Sequence, residues 1–256
     1  SLRRKQLKAA NRRVQVKVVN WQSMPRFAQL QPKHKDASAR GGFYAWKPLL
    51  IARQAAKETA DVLLWMDAGH YFQGKRTMHK LAERAHEAGG VFAFRSAQTV
   101  RAWTHPGMLA AMYNGSSPPG LLGRKRPHEV GLDDPPCDAS VLAFVRRAPL
   151  ARRVLSLWVA CAQDEGCIAP RGSTRSNHRV DQAALTLVLL DATLRGPSAA
   201  AAITRSARQK PTAEPAASSA PPRICREWAR SVRIAQWWWD RQKLTVGAIR
   251  LMYVIL

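Results

Sequence analysis

Acidic side chains are scarce in this 256-residue chain: 17 Asp and Glu stand against 41 Lys and Arg, a formal charge of +24. Long apolar runs are also missing. No window of about 18 residues is both apolar and uncharged, so the sequence encodes no transmembrane helix. Cysteine occurs four times with no C-x-x-C spacing, which argues against a structural zinc site. G-x-S-x-G, the Walker loop and G-x-G-x-x-G are absent too, weakening hydrolase, kinase and dehydrogenase readings. What remains is ordinary globular chemistry. With 46% hydrophobic and 23% charged residues, wholesale disorder and fibrous repeats are excluded. The length fits one domain or one and a half.

The basic charge is unevenly placed. Residues 1–40 hold 11 basic and one acidic side chain, residues 201–256 hold 10 and three, and residues 41–200 hold 20 and 13. A nucleic-acid binder usually carries its basic stripe on the folded working face. Here the middle is only mildly basic, which suits an anionic small molecule as well as a polynucleotide. The flanks read as solvated Arg-rich segments or as a contact surface for an anionic polymer. Cys161 and Cys167 are close enough for a local disulfide in an oxidising compartment; buried free thiols are the other reading.

Periodicity predicts a helix over 2–11 and a β-branched strand over 14–19. Pro48 suits the first turn of a helix continuing to residue 57. The run VLLWM at 62–66, apolar at every position, predicts a strand covered on both faces. Thr77 is expected to cap a helix ending near 87, followed by a strand over 91–95. Residues 104–136 read mostly as loop, with a short helix over 108–113. A buried strand is expected over 141–145, an amphipathic helix over 149–163 and a buried helix over 180–194. Such alternation predicts an α/β layered sheet with parallel strands. Residues 196–222 read as an Ala/Pro/Ser-rich linker, and 223–256 as a Trp-rich basic tail that docks on the core, pairs as an edge or touches a membrane surface.

Three motifs carry chemistry. Asp67-Ala68-Gly69 follows the strand over 62–66, where ligands of open α/β sheets gather; an Asp there reaches a divalent cation or simply caps a turn. Asn177-His178-Arg179-Val180-Asp181-Gln182 opens the late helix, where free N–H groups favour anions. His is a metal ligand or base, Arg a phosphate clamp and Asp a base or hydroxyl acceptor. In Gly41-Gly42-Phe43-Tyr44-Ala45-Trp46-Lys47-Pro48, the aromatics form a platform for a base or sugar ring, or pack under a loop, and Lys47 is placed to meet a phosphate.

Together, G-[FY]-x-x-W-K-P, strand-D-A-G, the pair Trp103-Thr104 and H-R-x-D-Q resemble a poorly characterised family of GT-A-fold glycosyltransferases, over about residues 14–190. The resemblance implies a GT-A-like α/β domain over 1–195, an open and mostly parallel sheet flanked by helices. Because the chain opens with a helix, the first strand of that sheet is expected upstream of Ser1, leaving the domain N-terminally truncated. Asp67 would take the place of the first Asp of a D-x-D metal motif, and His178 would stand near the late metal or phosphate ligand. Gly69 replaces the second Asp, and His105 replaces an expected Lys. Asp138-Ala139-Ser140 looks like the acceptor-side strand entry.

The implied activity is transfer of a sugar from a nucleotide-sugar donor to a hydroxyl of a glycan or glycoconjugate. Mn²⁺ or Mg²⁺ would be held by the diphosphate, Asp67 and His178, and would assist the departing diphosphate. Arg179 and Lys47 would share the phosphate charge, with Tyr44, Trp46 and Gln182 on the donor side. Asp181 and Asp138 are the catalytic candidates. The implied compartment is the Golgi or another endomembrane lumen. The alternatives are a non-catalytic basic module for nucleic acid or anionic polysaccharide, and a degenerate transferase domain.

Overall fold

A computed structural model describes residues 15–20, 44–67, 70–72, 75–113, 122, 131–194, 234–236 and 250–255. In chain order its elements are β1 (Gln15–Asn20), α1 (Trp46–Lys57), β2 (Val62–Met66), β3 (His70–Phe72), α2 (Lys75–Glu87) and β4 (Val91–Arg95). The short helices α3 (Val100–Trp103) and α4 (Pro106–Tyr113) come next, then β5 (Cys137–Val145). They are followed by α5 (Pro149–Gln163), α6 (Glu165–Ile168), α7 (Val180–Leu194), β6 (Ile234–Gln236) and β7 (Arg250–Ile255). The helix expected over 2–11, the linker and the Trp237–Trp239 run lie outside the described residues.

The main sheet has the order β1-β7-β2-β5-β4, and each neighbouring pair is antiparallel. This corrects the expectation of mostly parallel strands. β2 and β4 both run antiparallel to β5, so they share a direction and α2 links them; β1 and β2 likewise share a direction on either side of β7. Strands β5 and β7 interleave between strands that would otherwise be parallel neighbours. A continuous apolar run reports burial on both faces and says nothing about which strand lies beside it. The C-terminal segment, read as a tail that docks on the core, pairs as an edge or touches a membrane, supplies β7 to the interior of the sheet and β6 to a two-stranded pairing with β3.

Alternation along β2 divides the core. Val62, Leu64 and Met66 face α2, packing with Leu81, Ala82 and Ala85. Leu63 and Trp65 face the opposite layer, with Leu50 and Ile51 of α1, Trp158 of α5 and Leu185 of α7. Period-two geometry therefore directs the next residue of that series, Asp67, toward the layer holding α1 and α7. Helix α2 begins two residues before Thr77, which is buried within the first turns and is not the expected cap. It ends in a left-handed turn at Gly89, with Gly90 N–H donating to Ala85 O at 2.8 Å. A Cβ on Gly90 would lie 2.5 Å from Ala148 Cβ, so this turn requires glycine.

Candidate active site

Lys47 stands in the first turn of α1, Asp67 just past the carboxyl end of β2 and Asp181 in the first turn of α7. Their side chains meet. Lys47 Nζ lies 3.1 Å from Asp67 Oδ2 and 2.9 Å from Asp181 Oδ2, and donates at 3.4 Å to the carbonyl of Ala139. The Lys47 and Asp181 side chains are 3% and 7% exposed, whereas that of Asp67 is 28% exposed. Asp67 is the member of the cluster that solvent reaches.

Local backbone features set this geometry. Tyr44, shortly before α1, and Val180, the first residue of α7, have φ of 58° and 30°, each next to the helical turn that carries a cluster residue. A positive φ on a β-branched residue such as Val180 is an outlier that the surrounding structure must hold, at a cost on the order of 1–3 kcal/mol. Strand β5 is irregular at the same place: its pairing with β4 shifts register between Ala93 and Phe94, jumping from Leu142 to Asp138. The intervening residues of β5 supply the Ala139 carbonyl to Lys47 and the Ser140 carbonyl to the Asp67 N–H, at 2.8 Å. Bulges recur where a sheet re-aims groups at a site. Trp65, two residues before Asp67 on the same face, donates its Nε1–H to Asp67 Oδ1 at 2.7 Å. Trp158 Nε1–H donates at 3.0 Å to the Asp181 carbonyl and ties α7 to α5.

Electrostatics follow from burial. Desolvation alone would lower the Lys47 pKa, but the charges of Asp181 and Asp67 outweigh it and hold the ammonium above its ordinary range. Asp181 is pushed up to about 6, because burial disfavours its charge more than Lys47 restores it, with Asp67 adding repulsion. Its Oδ2 has the short ion pair without an aligned hydrogen bond.

The other expected site residues divide into several groups. Trp46 is buried and packs against Trp65 with ring centroids 6.1 Å apart, so it is a core residue and presents no platform. Tyr44, half-buried, lies with its ring centroid 5.4 Å from Lys47 Nζ. Lys47 itself is enclosed and neutralised by carboxylates, so it does not face a phosphate as expected. Asp138 uses Oδ1 to accept from Ser140 N–H at 2.7 Å, which shapes the irregular part of β5. Gln182 is half-buried; its N–H donates to Arg179 O, and its carbonyl accepts from Thr186 Oγ1. Arg179 is exposed and stacks on Trp103, with Cζ 4.0 Å from the ring centroid, while its N–H donates to Trp103 O.

His178 is 2% exposed and has both ring nitrogens occupied. Nδ1 accepts from His105 N–H at 3.3 Å, so Nε2–H donates to the Ile168 carbonyl at 3.0 Å. Burial lowers its pKa to about 4. The ring is a neutral structural bridge from the segment before α7 to α6 and offers no free lone pair to a metal. Among the described residues, no group of three or more His, Cys, Asp or Glu side chains is placed to hold a metal ion. Asp67, whose two oxygens accept from Trp65 and from an ammonium, does not fit the expected donor set with His178.

Sequence reasoning missed Trp65, although its i, i+2 relation to Asp67 in a strand was the available signal. It also missed the Ala139 carbonyl, which has no signature in sequence. Cys161 and Cys167 form a disulfide joining the end of α5 to α6, and Cys137 is disulfide-bonded as well. No protein-family model, curated protein or solved structure matches this chain.

Proposed function

We propose that this chain is a GT-A-like glycosyltransferase domain that takes a nucleotide-sugar donor and a hydroxyl of a glycan or glycoconjugate. One observation carries the reading. Lys47 of W-K-P, Asp67 of D-A-G and Asp181 of H-R-x-D-Q come from three of the four motifs of the resemblance, and Lys47 Nζ lies within 3.1 Å of both carboxylates just past the end of β2. Support comes also from Asp67 being the exposed member of that cluster, just past the end of a buried strand. The disulfides fit a protein that folds in an oxidising compartment, as an endomembrane lumen is.

The roles follow from access. Asp67 is the carboxylate a sugar hydroxyl reaches, and Trp65 and Lys47 hold its two oxygens in place. Lys47 and Asp181 are positioning residues behind it. Arg179, held flat on Trp103 at the start of α7, takes the charge of the donor phosphates through its exposed guanidinium edge. In the transfer, the acceptor oxygen bonds to the anomeric carbon as the bond to the diphosphate oxygen breaks. The electron pair leaves with the nucleoside diphosphate, and the hydroxyl proton passes to the carboxylate or to bulk water.

The test is release of nucleoside diphosphate from a panel of nucleotide-sugars. Asp67→Asn should lower turnover about 100-fold, within the range for a positioned proton-transfer group. An Asp67→Asn protein as active as the wild type sinks the assignment, as does a wild type that neither binds nor cleaves any of the panel.

A further inference from the structure

We infer that the ammonium of Lys47 occupies the cation position of this centre, so that the site works with a tethered cation in place of a divalent metal ion. The inference rests on reading the cluster as the centre of the transferase site. Its evidence is the coordination of Nζ: two carboxylate oxygens, from Asp67 and Asp181, and one backbone carbonyl, from Ala139, at 3.1, 2.9 and 3.4 Å. Carboxylates combined with a backbone carbonyl are the donor set that hard divalent cations take. The spacing, however, belongs to an ammonium. Mg²⁺ and Ca²⁺ hold oxygens at about 2.0–2.1 and 2.3–2.6 Å, so neither ion fits a cradle of this width with Nζ in it.

Charge leads to the same conclusion. Lys47 is buried, so its ammonium is held against the two carboxylates and away from solvent. A dication entering beside it would meet a fixed positive charge a few ångströms away. The remaining expected ligand, His178, has both ring nitrogens engaged by Ile168 and His105. Lys47 therefore does two jobs that a metal would otherwise share: it offsets one of the two carboxylate charges, and it orients the exposed carboxylate, Asp67.

Removing the ammonium should turn the cradle into a metal site, since Asp67 lies at the rim and can close on a smaller ion. The experiment is titration of Mn²⁺ into the intact chain, followed by the loss of the free-ion EPR signal and by thermal melting. Wild type and Lys47→Arg should take up no stoichiometric Mn²⁺ at millimolar concentrations. Lys47→Ala should bind one ion per chain with a rise in melting temperature, and Lys47→Ala/Asp67→Asn should lose it. Stoichiometric uptake by the wild type that Asp67→Asn abolishes overturns the inference, and so does a folded Lys47→Ala protein that binds none.

If Lys47→Ala does not fold, UDP and GDP affinity of the wild type decides. Equal affinity within twofold in EDTA and in Mn²⁺ supports the tethered cation, and a gain of tenfold or more with Mn²⁺ overturns it. Failure to bind either nucleotide in both buffers counts against sugar transfer, and the wild-type Mn²⁺ titration still decides the cation question.

Discussion

Lys47 and Asp181, carried by the first turns of two different helices, face each other at 2.9 Å with both side chains more than nine-tenths buried. A buried ion pair is a poor source of net stability, because desolvating two charges offsets most of their attraction. Losing one partner is another matter, since the remaining charge is then buried alone.

Replacing Lys47 with Met keeps the stem and removes the charge. The expected loss is about 3–5 kcal/mol of unfolding free energy in a denaturant titration, the usual cost of orphaning a buried charge. Adding Asp181→Asn should recover part of it. A Lys47→Met protein within about 1 kcal/mol of wild type would mean that the pair is solvated.

Two buried groups titrate in opposition. Asp181, raised from an ordinary 3.8 to about 6, binds its proton more tightly when folded, so its contribution to stability is lost as pH rises from about 4 to 6. His178, lowered from 6.5 to about 4, binds its proton less tightly when folded, so its contribution is lost as pH falls through the same window. The two slopes oppose each other in the wild type. Against wild type, Asp181→Asn should therefore gain relative stability as pH rises from 4 to 6, and His178→Gln should gain it as pH falls. Denaturant midpoints at half-unit pH steps measure both, and parallel curves for all three proteins would refute the assignment.

Trp65→Phe keeps a ring in the core and deletes the Nε1–H bond to Asp67 Oδ1. Hydrogen bonds to charged groups are worth about 1.5–3 kcal/mol. In a double-mutant cycle with Asp67→Asn, the coupling should reach about 1 kcal/mol or more. Simple additivity would show that the indole serves packing alone.

The Cys161–Cys167 bridge closes a short loop, with a sequence separation of 6, and ties α6 to the end of α5. Loop-closure entropy puts its contribution at about 2 kcal/mol. Because α6 supplies the Ile168 carbonyl to His178, opening the bridge should also loosen that contact. Cys161→Ala/Cys167→Ala should lower the unfolding free energy by about that amount, and water admitted around the loosened ring should weaken the desolvation that lowers the His178 pKa, moving it back toward 6.5 as followed by NMR. An unchanged His178 titration would separate the bridge from the site.

Much of the fold was legible because local rules governed it. The all-apolar run at 62–66, short and closed by Asp67-Ala68-Gly69, read as a covered strand and is one, and the helices over 149–163 and 180–194 appear with the bounds expected of them. The elements that escaped were short or paired with distant partners. β3 and α6 have three and four residues, too few to display a period, and β7 owes its place to contacts with β1 and β2. Asp67, Asp181 and Lys47 stood out for their residue types and places in the motifs. Their arrangement did not, and Lys47, read as a phosphate contact, proves to be the enclosed partner of the other two.

Composition and periodicity by themselves determined that this chain builds layered helices and covered strands, and which of its polar residues sit at element ends. Those properties depend on a residue and its near neighbours, so the linear order contains them. Tertiary structure alone decided strand direction, the partners of His178 and the meeting of an ammonium with two carboxylates. Each depends on which distant segments share a sheet edge. That is settled by the packing of the whole core, where a buried charge must find its counter-charge.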